Sequence, residues 1–152
     1  ITLWYCSSLN DITAIKKLPN LLRLEIGPCP RIKDLDILTN NNVLRVLCIK
    51  SYKNVDAEII KTLKELRFLY LDNCNPIPSI KFIDDLKNML GLLILGTKII
   101  DGDITPALKL KNVGITAMRH YNLDVDDPNL FPPHEQKYSY AYWTNLDNIL
   151  NS

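Results

Sequence analysis

The sequence of 152 residues predicts an α/β solenoid. In such a fold stacked coils place a parallel β-sheet on the concave side and short helices or turns on the convex side, and a separate segment caps the C-terminal end. Three observations predict it. An apolar pattern recurs six times at spacings of 20 to 24 residues. A second apolar register follows the first through most of the copies. Both stop near residue 118, where an aromatic and proline-bearing segment begins.

The pattern is clearest at Leu66, Leu69, Leu71 and Cys74. Neither a helix period nor a strand alternation alone gives offsets of three, two and three. Ile1, Leu3 and Cys6 form an incomplete first copy. Then come Leu21, Leu24, Ile26 and Cys29, and Leu44, Leu47, Ile49 and Tyr52. After the copy at 66–74 follow Leu90, Leu93, Leu95 and Lys98, and Leu110, Val113, Ile115 and Met118. The closing positions therefore fall at 6, 29, 52, 74, 98 and 118. Three residues beyond the closing position stand Leu9, Ile32, Val55 and Ile77, and Ile12, Leu35, Ile59 and Ile80 follow them.

This arrangement resembles the leucine-rich repeat family, whose motif L-x-x-L-x-L-x-x-N/C-x-L repeats every 20 to 29 residues or so. The resemblance covers residues 1–118, about five to six coils. Tyr52, Lys98 and Met118 depart from the Asn or Cys of the motif. The stretch RHYNL after DGD-x-TP-x-L-x-L-KN also looks like the ends of certain uncharacterised bacterial leucine-rich repeat proteins. The resemblance implies one short strand per repeat, with its leucines inward and the intervening residues outward.

The return segments carry helix signals. Asp56 is a candidate N-cap for a helix over residues 57–66, and residues 82–90 read as a second helix. Residues 12–18 and 104–110 suggest short or 3₁₀-like turns. Residues 119–152 hold no repeat but three prolines and, up to 143, eight aromatic or histidine residues. They read as the cap, with Tyr121, Leu123, Leu130 and Phe131 over the last coil, a short strand at 138–142 and a terminal helix at 143–150. No cap precedes Ile1, so the array is expected to continue upstream or to self-associate through its open N-terminal edge.

Charge and composition narrow the function. A formal net charge of +1 with 23% charged residues gives no electrostatic reason to expect nucleic acid. No apolar run approaches the roughly 20 residues of a membrane span. Cys6, Cys29, Cys48 and Cys74 contain no C-x-x-C pair, which argues against zinc and for free thiols in a cytoplasmic setting. His134-Glu135 lacks the second histidine of a metalloprotease helix, and Asp101-Gly102-Asp103 lacks the later ligands of a calcium loop. His120 reads as part of the cap, and Asp124, Asp126 and Asp127 as a solvated loop. No cofactor, metal site or catalytic residue is expected.

What remains is the outward sheet face. Aligned copies give one column of Arg23, Val46, Phe68, Leu92 and Asn112. A central column holds Thr2, Glu25, Cys48, Tyr70, Ile94 and Gly114, and a third holds Trp4, Gly27, Lys50, Asp72, Gly96 and Thr116. An apolar centre rimmed by charge is how partner surfaces are built. The expected function is a non-catalytic module that binds a protein or peptide through Arg23, Arg45, Lys50, Phe68, Tyr70, Asp72, Leu92 and Ile94. The alternatives are a substrate-docking repeat domain of a larger enzyme or effector, or a toxin-neutralising immunity protein. Cys48, alone among the cysteines, is expected outward and exposed.

Overall fold

The computed structural model describes residues 1–132. Six strands run parallel in sequential order: β1 (Thr2–Leu3), β2 (Arg23–Ile26), β3 (Val46–Lys50), β4 (Phe68–Asp72), β5 (Gly91–Leu95) and β6 (Asn112–Ile115). Each connection returns along the other side. One contains a single α-helical turn, α1 (Ala57–Ile60), and four contain 3₁₀ turns at Thr13–Lys17, Asp36–Leu38, Lys81–Asp85 and Thr105–Lys109. The result is an α/β fold with an all-parallel sheet, an architecture compatible with a solenoid. Among the described residues no helix is long and apolar enough to cross a membrane.

The repeat pattern explains the sheet. Leu24, Leu47, Leu69, Leu92 and Val113 stand in one register row across β2 to β6. Ile26, Ile49, Leu71, Ile94 and Ile115 form a second row. Both rows point into one core, which Leu21, Leu44 and Leu66 extend. No repeat encloses its own leucines, so each row is buried only because the next repeat supplies the facing side chain. The second apolar register closes the core from the return side through Ile32, Val55, Ile77 and Ile80, and it continues as Ile99 and Ile104.

The helices are shorter than expected. The segment 57–66 holds only four α-helical residues, and 82–90 gives a 3₁₀ turn at Lys81–Asp85. A repeat of some 23 residues must spend five on a strand and two turns on reversing, and only a turn or two of helix fits in what remains. The turns start the same way in every repeat. Asp11, Asp34, Asp56, Ser79 and Asp103 each accept the backbone N–H two residues on, at Thr13, Asp36, Glu58, Lys81 and Thr105. These side chains satisfy donors that a short helix leaves open. Hydrogen bonds hold two of these carboxyls below their ordinary range: from the backbone and then the side chain of Thr13 for Asp11, and from the side chain and then the backbone of Thr105 for Asp103.

The closing position also acquires a reason. The Cys29 thiol points to the carbonyl of Leu3 at 3.6 Å and that of Cys74 to Ile49 at 3.5 Å, each reaching back to the preceding strand. A small weak donor suits that place. The residue just before it leaves the strand in the left-handed region: Tyr5 (φ 52°), Ser51 (φ 52°), Asn73 (φ 50°) and Gly96 (φ 59°). This series corrects the fifth repeat. The residue after Gly96 is Thr97, so Thr97 and not Lys98 closes it. Thr97 is fully buried, and its hydroxyl accepts the N–H of Cys74 at 2.9 Å. The inward residues are accordingly Leu92 and Ile94, both fully buried, rather than Leu93 and Leu95.

Past residue 118 no further strand follows among the described residues, and part of the segment packs on the core. Tyr121, Leu123, Val125 and Phe131 pack against the core, while Leu130 is half-buried. Asn122 accepts the N–H of Ile104 at 2.9 Å and donates to Asp103 and Thr105. The His120 ring donates from Nε2 to the carbonyl of Ile99 at 2.7 Å and lies against Tyr121. The strand and helix expected within 138–150 lie outside the described residues.

Two substitutions test the register. Leu92→Ala removes a fully buried side chain and should cost about 2 to 5 kcal/mol in urea unfolding. Leu95→Ala, at a position 37% exposed, should cost under about 1 kcal/mol. Gly96→Ala should destabilise by about 1 to 2 kcal/mol, because an added Cβ meets the Asn73 side chain and L-residues resist that φ. A melting temperature equal to the parent's would contradict the left-handed exit.

Candidate interaction face

Strand alternation leaves a second set of side chains on the sheet face opposite the core. Val46, Cys48, Phe68 and Tyr70 form an apolar cluster of their own there, with Leu90 and Leu93 packed against it. The register places Val46 beside Phe68 and Cys48 beside Tyr70. All four are buried: Val46 is 1% exposed, Phe68 3%, Cys48 4% and Tyr70 7%. Among the described residues, Leu90 and Leu93 are the partly buried hydrophobics packed against it.

Polar groups border it on both sides. Toward β1, Arg23 is ion-paired with Glu25, and the Thr2 hydroxyl donates to Glu25 at 3.2 Å. Glu25 is only 5% exposed, so these two donors offset the cost of burying its charge. Along the strand ends, the Lys50 ammonium lies 3.7 Å from Asp72. It also stands over two rings, 5.2 Å from the centroid of Trp4 and 4.7 Å from that of Tyr70. The Tyr70 hydroxyl donates to Asp72 at 2.9 Å, and Asn73 donates to the other carboxylate oxygen at 2.7 Å. Trp4 lies over Gly27, where a Cβ would stand 3.0 Å from its ring. Three repeats thus contribute to one aromatic and ionic ladder.

Of the residues named from sequence, Arg23, Lys50, Phe68, Tyr70 and Asp72 stand together on this face. Arg45 sits at the start of β3, half-buried, its carbonyl accepting the N–H groups of Arg67 and Phe68. Leu92 and Ile94 do not belong to the face: both are core residues. Their outward places are taken by Gly91, Leu93 and Leu95, which pair with Phe68, Tyr70 and Asp72. The one-residue slip in the fifth repeat sent the whole strand to the wrong face. The left-handed position was the signal that would have prevented it, since Gly96 aligns with Ser51 and Asn73 and not with Asp72.

Cys48 is the second correction. It points outward as expected but is buried, while Cys6 and Cys74 are the half-buried thiols and Cys29 is buried. Burial pushes the Cys48 thiol up to about 12; Glu25 adds to the rise, and Arg23 and Lys50 oppose it. Sequence reasoning put Asn112 in the outward column but did not name it among the binding residues. It stands beside Gly91 on the same face, is 2% exposed, and its Oδ1 is buried without a hydrogen-bond partner among the described residues. Arg67 was missed as well; it holds the place in β4's repeat that Arg45 holds in β3's. Among the described residues no group of three or more His, Cys, Asp or Glu could hold a metal ion.

Comparison with models of known protein families, with curated proteins and with solved structures returns no match.

The Cys48 thiol should resist alkylation in the native state at pH 8, when Cys6 and Cys74 react; per-site mass spectrometry would read this. The folded thiol holds its proton above its ordinary value of 9.0, so its contribution to stability is complete below that pH and is lost as pH rises toward 12. Cys48→Ser should flatten that alkaline decline in a stability-against-pH series.

Proposed function

We propose that the chain is a leucine-rich repeat solenoid and that its outward sheet face, the concave side in that fold, is a non-catalytic recognition surface for a protein or peptide. One observation carries this reading. The sheet has a second apolar cluster, Val46, Cys48, Phe68 and Tyr70, on the side that does not face the core. A sheet face that only met water would carry polar side chains at those four places. The composition is that of an interface centre: aromatic anchors with a border of ion-paired Arg, Lys, Asp and Glu. Parallel strands present such side chains at a spacing close to that of an extended peptide, which suits solenoids to recognition. The ladder of Trp4, Lys50, Tyr70 and Asp72 adds a polar reading of the partner beside the apolar one.

The test is a capture experiment with immobilised protein. Bait carrying Lys50→Glu and Tyr70→Ala should lose partners that both the parent and Lys16→Glu, altered on the return side, retain. Equal recovery by all three baits would contradict the reading.

A further inference from the structure

The closing position of the repeat holds Cys6 in the first copy and Cys29 in the second, and the register stacks them. Leu3 of β1 pairs with Ile26 of β2, and each cysteine stands three residues past its member of that pair. Both then enter the same turn. The Cys6 carbonyl accepts the N–H of Leu9 at 3.2 Å, and the Cys29 carbonyl that of Ile32 at 3.1 Å. Their thiols converge. The Cys29 thiol reaches back to the carbonyl of Leu3 at 3.6 Å, and the Cys6 thiol points to that of the next residue, Trp4, at 3.5 Å. Burial raises the Cys29 thiol above its ordinary value, a hydrogen bond from the Cys6 backbone lowers it, and the charge and side chain of Cys6 raise it. Neighbouring strands stand about 4.8 Å apart, inside the Cα separation of about 4.4 to 6.8 Å that a disulfide spans. The other cysteines are not placed this way. Tyr52 separates Cys29 from Cys74 in the column, two strand spacings or about 10 Å, and Cys48 lies in the cluster on the opposite sheet face.

We propose that Cys6 and Cys29 are a redox pair, which a hydroperoxide closes to a disulfide across the first two repeats. The inference is independent of the recognition reading. Cys6 is half-buried and Cys29 only 3% exposed, so Cys6 is the thiol that meets the oxidant. With hydrogen peroxide, the Cys6 sulfur attacks one oxygen and the O–O bond breaks. Cys6 becomes a sulfenic acid, and its thiol proton leaves with the other oxygen as water. The Cys29 sulfur then attacks the Cys6 sulfur. The S–S bond forms, the S–O bond breaks, and the hydroxyl departs as water with the Cys29 proton. Two thiols thus give two electrons to one peroxide, which ends as two waters. Burial suits Cys29 to the second step: it is shielded from the oxidant yet already beside Cys6. The link ties the exit of β1, a strand of two residues, to the exit of β2. It also fixes the chain on either side of the contact between Trp4 and Gly27, where Lys50 stands over the Trp4 ring.

The experiment treats the native full chain with hydrogen peroxide, blocks the remaining thiols in denaturant and maps tryptic peptides without reduction. The expected product joins residues 1–16 to residues 24–31 and weighs two hydrogens less than the two peptides together. Cys48 and Cys74 should be recovered alkylated, and dithiothreitol should separate the linked pair. The same oxidation in urea should spread links over several cysteine pairs, because the stacking that selects one pair is gone. Two variants order the steps. Cys29→Ser should leave a sulfenic acid that dimedone traps at Cys6. Cys6→Ser should slow the loss of the Cys29 thiol about tenfold or more, since burial shields it. The parent protein decides the matter even if either variant folds poorly. Recovery of both Cys6 and Cys29 as alkylated thiols after peroxide would overturn the proposal, and so would native links from Cys29 to Cys48 or Cys74 as frequent as those to Cys6.

Discussion

Each repeat in this chain buries its leucines against the repeat before it and the repeat after it, and the parallel ladder from β1 to β6 holds that stacking in register. Most other features follow from this constraint. Because equivalent residues stand side by side across the strands, leucine and isoleucine rows make one uninterrupted core. The thiols of Cys29 and Cys74 meet carbonyls of the preceding strand for the same reason. So does the recurrent Asp or Ser at the start of each return turn, which settles the first donors of a helix too short to settle its own. A residue that breaks register at one repeat disturbs two interfaces at once, since no repeat has a core of its own.

The same register builds the outer face. Alternation sends every second strand residue outward, and stacking then places outward residues of three repeats within reach of one another. Lys50 meets Trp4 from β1's repeat and Tyr70 and Asp72 from β4 only because these strands are neighbours but one or neighbours. Val46, Cys48, Phe68 and Tyr70 come together in the same way. A sheet apolar on both faces needs cover on both, and the return segments supply it on one side only. The burial of Glu25 and Asn112 on the other side shows that polar groups there are also withdrawn from water. Glu25 has Arg23 and Thr2 as partners, whereas the Asn112 carbonyl oxygen has no hydrogen-bond partner among the described residues.

The described residues after β6 pack onto the core without adding a strand. Tyr121, Leu123, Val125 and Phe131 cover the last apolar rows, and Asn122 takes up the N–H of Ile104 that a further repeat would have met. His120 joins them through its bond to the Ile99 carbonyl and its contact with Tyr121. Lys81 lies within 4 Å of both Asp101 and Asp103, so the acidic turn is tied to the preceding return turn.

The sequence by itself determined the parallel sheet with one strand per repeat and the identity of most core residues. Those follow from a pattern that recurs at near-constant spacing, and recurrence needs no knowledge of distant contacts. It also placed Arg23, Lys50, Phe68, Tyr70 and Asp72 on one face, because side chains alternate along a strand. Tertiary structure alone decided three things. It set the fifth strand one residue away from its apparent register, since LGLLIL offers leucines to either face and only stacking against Leu69 and Leu71 selects Leu92 and Ile94. It shortened the helices to single turns, because the length of a return segment is dictated by the neighbouring repeat and not by local propensity. And it buried Cys48, whose outward direction was legible but whose exposure was not: a direction follows from local alternation, whereas burial depends on what lies across the face, and that is a property of the folded chain.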